Sequence, residues 1–158
     1  MTQFLACILP PDLLLKLARE ATGERRSVIL RSLELDQSFR LRRAELAGRQ
    51  LRSHEGALAK EARGTPSRSI YDQRHSTAMV PGTLMRHEGD PPVEDVSVNQ
   101  AYDGFGLTYN LFWDVFHRDS IDGRGLPIQG LVHYGEAYDN AFWDGAGNML
   151  FGDGDGRV

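Results

Sequence analysis

A chain of 158 residues with 41% apolar residues is long enough for a compact domain with a real core, which excludes a chain disordered throughout. A formal net charge of −4 and a sequence pI near 5.7, with no dense basic stripe, exclude an ordinary nucleic-acid binder. That net charge hides a split, because residues 1–66 carry 12 Lys/Arg against 8 Asp/Glu and residues 67–158 carry 6 against 14, leaving the two parts at +4 and −8.

Glycine follows the same division, with 4 of 17 in the first part, and so do Phe, Trp and Tyr, of which only Phe4 and Phe39 precede residue 67. Two units of different construction are implied, either a basic one docked on an acidic one or two independently solvated surfaces. The single cysteine, Cys7, excludes an internal disulfide and any zinc site built on several cysteines. Phe4 to Leu9 are apolar, but Pro10, Pro11 and Asp12 end the run and no basic segment precedes it. The run is too short for a membrane span and poor as a signal peptide, so synthesis in the cytoplasm is expected, without a membrane partner and with later export left open.

In chain order, residues 12–22 are largely helix formers, with Pro11 where a first helical turn tolerates it and Gly23 where a helix would end. From residue 27 to about 62, Leu35, Phe39, Leu46, Leu51 and Leu58 recur near helical spacing and predict one long helix, or two broken near Gly48. Residues 63–69 mix breakers with small polar side chains, the chemistry of an exposed linker where a chain is cut. Residues 70–72 and 79–86 read as a hairpin-like pair, followed by a loop through Pro91 and Pro92. In residues 99–116, Tyr102, Phe105, Tyr109, Phe112, Trp113 and Phe116 give one helix a broad aromatic face, and Gly104 and Gly106 within it call for a packing reason. Residues 128–134, 138–143 and 149–151 read as strands, the last two joined by a turn at 144–148.

Five elements stand in order along the second unit: Asn99-Gln-Ala-Tyr-Asp-Gly104, Ser120-Ile-Asp-Gly123, His133-Tyr134, Asp139-Asn-Ala-Phe-Trp143 and Gly152-Asp-Gly-Asp-Gly156. This series resembles the front half of thermolysin-type zinc metalloproteases. Cys7-Ile-Leu-Pro10-Pro11 with Leu13, the Arg/Ala/Leu-rich helical stretch and Arg68-Ser-Ile-Tyr71-Asp72 resemble the short propeptide and junction of protealysin-like members. The resemblance implies an α+β precursor: residues 1–66 a helical inhibitory propeptide, packed on residues 67–158 as an incomplete β-rich half-lobe with one long aromatic-faced helix. It also implies a zinc-dependent neutral endopeptidase whose substrate lies along an edge strand, here residues 139–143. Asn140 would then bind substrate backbone through its amide and Ala141 through its carbonyl, with Phe142 and Trp143 beside them. Asn is the commoner family residue at the position of Asp139.

Each assignment has a plainer counterpart: Asn140 capping a bulge, Phe142 and Trp143 as core, and His133 as a satisfied histidine in an apolar strand. Pro10 and Pro11 lack N–H donors, so a rigid segment carrying them would lodge in a cleft as an inhibitor rather than a substrate. The thiolate of Cys7 reaching the zinc of a latent enzyme is the sharper reading of a residue that otherwise serves as a small hydrophobe. Zinc chemistry needs His-Glu-x-x-His, which places two imidazoles on one helix face with the Glu beside the bound water. The His-Glu pairs here, His54-Glu55 and His87-Glu88, have Leu58 and Pro91 where the second His belongs. No catalytic residue or metal ligand is therefore expected in this chain, and alone it is expected to cleave nothing. The Gly-Asp loop leaves calcium open, although an acidic cation loop needs further oxygen ligands. Expected partners are a peptide or protein substrate and the propeptide's own catalytic domain or a protease in trans. The alternative is a stand-alone inhibitor or binding module without catalysis.

Overall fold

The computed structural model describes residues 9–50, 63–145 and 147–154, with the side chains of 39–50 excepted. Pro10 is the N-cap of α1 (Pro11–Glu20), whose first turn closes by hydrogen bonds from Leu13 and Leu14 N–H to the Pro10 carbonyl. Leu14 and Ala18 of α1 pack against Ile29 and Leu33 of α2 (Gly23–Gln50), making a small helical core of their own. Gly23, expected to end a helix, instead opens α2 with φ 59°.

The rest is a five-stranded sheet with one long helix on a face. β1 (Arg68–Asp72) and β2 (Thr83–His87) form the expected antiparallel pair. α3 (Val96–Phe116) crosses back, and β3 (Ile128–Val132) joins β1 in parallel. β4 (Ala141–Trp143) and β5 (Asn148–Phe151) form an antiparallel hairpin, giving the order β2-β1-β3-β5-β4. Alternation along the strands sorts the core into two layers. Ile70, Ile128 and Val132 meet Val98, Tyr102 and Phe105 of α3, while Leu131, Leu150 and Phe142 meet Tyr134 and Tyr138 on the opposite face.

Two expectations shift. The linker at residues 63–69 gives way to β1 at Arg68, and Arg63 is tied to α3 by hydrogen bonding to Asn110 and a 3.7 Å ion pair with Asp114. α3 starts earlier than residue 99 because Asp95 caps it, its Oδ1 accepting from Ser97 and Val98 N–H at 2.9 and 3.2 Å. Gly106 has its packing reason: a methyl group there would stand 2.5 Å from Nη1 of Arg68. That guanidinium lies 3.8 Å from the centre of the Tyr102 ring, donates to Glu88 at 2.6 and 2.7 Å, and shares Tyr102 with Arg86. Gly104 faces open space. Among the described residues no helix is long and apolar enough to cross a membrane.

Candidate functional site at the β4 edge

β4 ends the sheet, and no further described strand pairs with it. The Asn140 carbonyl accepts from Gly152 N–H and the Asp144 N–H donates to Asn148, both at 3.0 Å, so residues 140 and 144 face β5. By antiparallel alternation Ala141 and Trp143 turn their backbone groups to the open side, where an extended peptide would add. The Ala141 carbonyl lies on that side, whereas the Ala141 N–H donates to Asn140 Oδ1 at 2.8 Å. Phe142 is fully buried on the face away from α3. Trp143 is half-buried on the α3 face, where it lines a cleft of about 850 Å³ with Ala101, Phe105, Ile128, Met149 and Phe151.

The N-terminal unit reaches this edge at two points. Leu9 N–H donates to Asn140 Oδ1 at 2.9 Å, and Asn140 Nδ2 donates back to the Leu9 carbonyl at 3.2 Å. Ser32 Oγ of α2 accepts from Asp139 N–H at 3.2 Å, while the Asp36 carboxylate accepts from Asn140 Nδ2 at 2.9 Å and from the Tyr138 hydroxyl. Leu35 packs against the cluster holding Tyr134, Tyr138 and Phe142. Among the described residues, α2 meets this edge through Ser32, Leu35 and Asp36, while the basic Arg63 pairs with Asp114 of α3. Pro10 is extended at φ −69° and ψ 149°, Pro11 already belongs to α1, Leu13 stays exposed while its neighbour Leu14 is buried, and Cys7 lies outside the described residues.

The sequence reading missed Ser32 and Asp36. Their signal is positional: Val28, Ile29, Ser32, Leu33 and Asp36 form one buried stripe at helical spacing, with two polar members. It also missed what His133 does. At φ 54°, that residue gives Nδ1 to the Asp153 carboxylate at 2.8 and 2.9 Å and Nε2 to Asp95 Oδ2 at 2.9 Å. Carboxylates on both ring nitrogens suit an imidazolium, whose two N–H groups donate outward. Burial by itself pushes the imidazole pKa down, but the hydrogen bonds with Asp95 and Asp153 outweigh it, and the value is raised. Burial pushes the Asp95 carboxyl up, but His133 and the Val98 and Ser97 amides hold it below its ordinary value.

The pH consequence follows from these signs. The stabilisation from His133 is complete below its ordinary pKa and is lost as pH rises through the raised folded value. The contribution of Asp95 is present above its ordinary value and is lost as pH falls through the depressed one. Urea midpoints measured from pH 4 to 9 should therefore show wild type losing more stability than His133→Asn as pH rises past neutrality, Asn being tolerant of positive φ. Parallel curves for the two proteins would remove His133 from the pH response.

Against this geometry, the family model of the thermolysin metallopeptidase catalytic domain matches residues 43–158. The chain belongs to the thermolysin metallopeptidase family. The matched region opens upstream of the compositional boundary at residue 66. Similar curated proteins include an extracellular metalloprotease of Pectobacterium carotovorum subsp. carotovorum, 38% identical over 96% of this chain and 41% of its own length. Protease PrtS of a Photorhabdus strain is 37% identical over 96% of this chain and 39% of its own. Among solved structures, the precursor of protealysin, a metalloproteinase from Serratia proteamaculans, matches with a TM-score of 0.74 at 36% identity, over 96% of this chain and 40% of that one. The chain thus spans about two fifths of the relatives it matches, and its α+β fold is that of the precursor neighbour.

Thermolysin-family peptidases are zinc enzymes. Among the described residues, no group of three or more His, Cys, Asp or Glu side chains is placed to hold a metal ion. His133, with carboxylates on both nitrogens, offers no free donor, so the described residues do not fit the family's zinc.

Proposed function

We propose that this chain is the N-terminal portion of a latent thermolysin-family zinc metalloendopeptidase. In this reading residues 1–66 form the inhibitory propeptide, residues 67–158 open the catalytic domain, and residues 139–143 form the edge on which a substrate backbone lies. The observation that carries the reading is the reciprocal pair of hydrogen bonds between Leu9 and the Asn140 amide. One backbone N–H and one backbone carbonyl on a single residue are what an extended substrate presents to such an amide, whatever its sequence. Pro10 follows immediately and has no N–H to continue a strand pairing, so the segment occupies the edge as a ligand that cannot complete a ladder. No described residue is assigned to the hydrolytic step.

Leu9→Pro tests this in the full chain. It removes the N–H given to Asn140 while keeping the extended backbone that precedes a proline. One hydrogen bond of about 0.5–1.5 kcal/mol predicts that a photoreactive apolar tetrapeptide labels residues 139–143 roughly twofold to tenfold more in the variant. Equal labelling of wild type and variant would count against occupancy of the edge by the N-terminal segment.

A further inference from the structure

Asp36 lies fully buried in the contact between α2 and the β3–β4 connection, where it accepts from the Tyr138 hydroxyl and the Asn140 amide. Its carboxylate meets Asn140, the side chain whose amide bonds both backbone groups of Leu9. We propose that Asp36 is a positioning residue that fixes the Asn140 amide and thereby sets the grip of the propeptide on the substrate edge; this rests on the reading of Leu9 as the occupant of that edge.

The argument is a count of donors and acceptors. Asn140 Oδ1 accepts from Leu9 N–H and Ala141 N–H, and Nδ2 donates to the Leu9 carbonyl and to Asp36. All four bonding positions of the amide are filled, and each partner is of the right polarity. Turning the amide over would set Nδ2 against two N–H groups and Oδ1 against a carbonyl and a carboxylate. Asp36, an acceptor in a buried setting, therefore holds Nδ2 on the side from which it reaches the Leu9 carbonyl. Because the carboxylate belongs to α2, docking of that helix and capture of Leu9 are one event. Displacing α2 frees the amide as well as uncovering the strand. The Tyr138 hydroxyl donates to the other carboxylate oxygen, the one that does not meet Asn140.

That asymmetry separates positioning from mere stability. Asp36→Leu deletes two buried hydrogen bonds and Tyr138→Phe one of them, and both should lower the unfolding midpoint. Asp36→Asn keeps an acceptor for Asn140 and can turn its own amide toward the Tyr138 oxygen, which also accepts. Amide exchange measured by NMR on the folded 158-residue chain should show Leu9 N–H protected in wild type, about tenfold faster in Asp36→Leu, and near the wild-type rate in Asp36→Asn and Tyr138→Phe. If Asp36→Leu does not fold, Asp36→Ser takes its place, its hydroxyl ending short of Asn140. Leu9 exchange in Asp36→Leu equal to wild type, or equally raised by Tyr138→Phe, would overturn the positioning role and leave occupancy of the edge intact. An unprotected Leu9 in wild type would overturn both.

Discussion

Phe142→Ala is expected to lower stability by about 3–5 kcal/mol, the cost of emptying the site of a large buried ring. Against a total of about 5–15 kcal/mol for a domain, that leaves the sheet marginal. Phe142 is fully buried, with Tyr134 and Tyr138 set edge-on to it at centroid distances of 5.6 and 6.2 Å and Leu131 and Leu150 in the same cluster. Each edge-to-face pair adds about 0.5–1.5 kcal/mol beyond area burial. Relaxation cannot refill the space cheaply, because the Tyr134 hydroxyl is bonded to the Thr77 carbonyl at 2.8 Å and the Tyr138 hydroxyl to Asp36. Urea unfolding followed by near-ultraviolet circular dichroism measures the loss. A change under about 1 kcal/mol would show that the ring is not core and return it to the substrate side. Trp143→Ala, on the cleft face, should cost less than Phe142→Ala. Phe142 thus holds the strand in place, while Trp143 faces the cleft beside α3.

Much of this was legible because strands with two buried faces write themselves plainly. β3 and β4 fall within the stretches read as strands, β5 begins at Asn148, one residue ahead of its stretch and inside the expected turn, and β1 with β2 forms the expected hairpin-like pair. Edge position was legible only through the family resemblance, since no alternation pattern states a strand's place in the sheet order. The register of α2 was not legible. Leu35, chosen on spacing, is only partly buried, while the buried stripe contains Ser32 and Asp36, polar residues that a hydrophobic pattern passes over. A polar residue enters such a stripe when a partner waits across the interface, and these partners, Asp139 and Asn140, lie more than a hundred residues away. The two carboxylates on His133 are hidden from the sequence for the same reason: Asp95 and Asp153 are 38 and 20 residues distant, and only the fold brings the α3 cap and the Gly-Asp loop to either side of one ring. The linker reading failed at Arg68 because its small polar neighbours suggested exposure, whereas β1 gains parallel and antiparallel ladders at once.

The first glycine of the Gly-Asp loop carries the other large effect. A methyl group on Gly152 would stand 2.0 Å from the Tyr138 carbonyl oxygen and 2.8 Å from its carbon, a backbone obstacle that no rotamer change relieves. The two segments must then separate, which breaks the hydrogen bonds from Gly152 N–H to the Asn140 carbonyl and from Gly154 N–H to the Tyr138 carbonyl, each 3.0 Å. Gly152→Ala is therefore expected at or beyond the upper end of overpacking costs, about 3 kcal/mol. Gly104→Ala supplies the internal contrast. It sits mid-helix in α3 with nothing within 4 Å of the added carbon, so gaining helix propensity should stabilise the chain by about 0.5–1 kcal/mol. The same atom added at two glycines should thus move the unfolding midpoint in opposite directions, and equal small changes would show that the loop is not pinned to Tyr138. Because Gly152 N–H holds the Asn140 carbonyl and Asn140 bonds Leu9, the Gly152 defect should reach the N-terminal segment as faster Leu9 exchange, whereas Gly104→Ala should leave that exchange alone. The loop would then serve as the inner support of the edge to which the N-terminal unit binds.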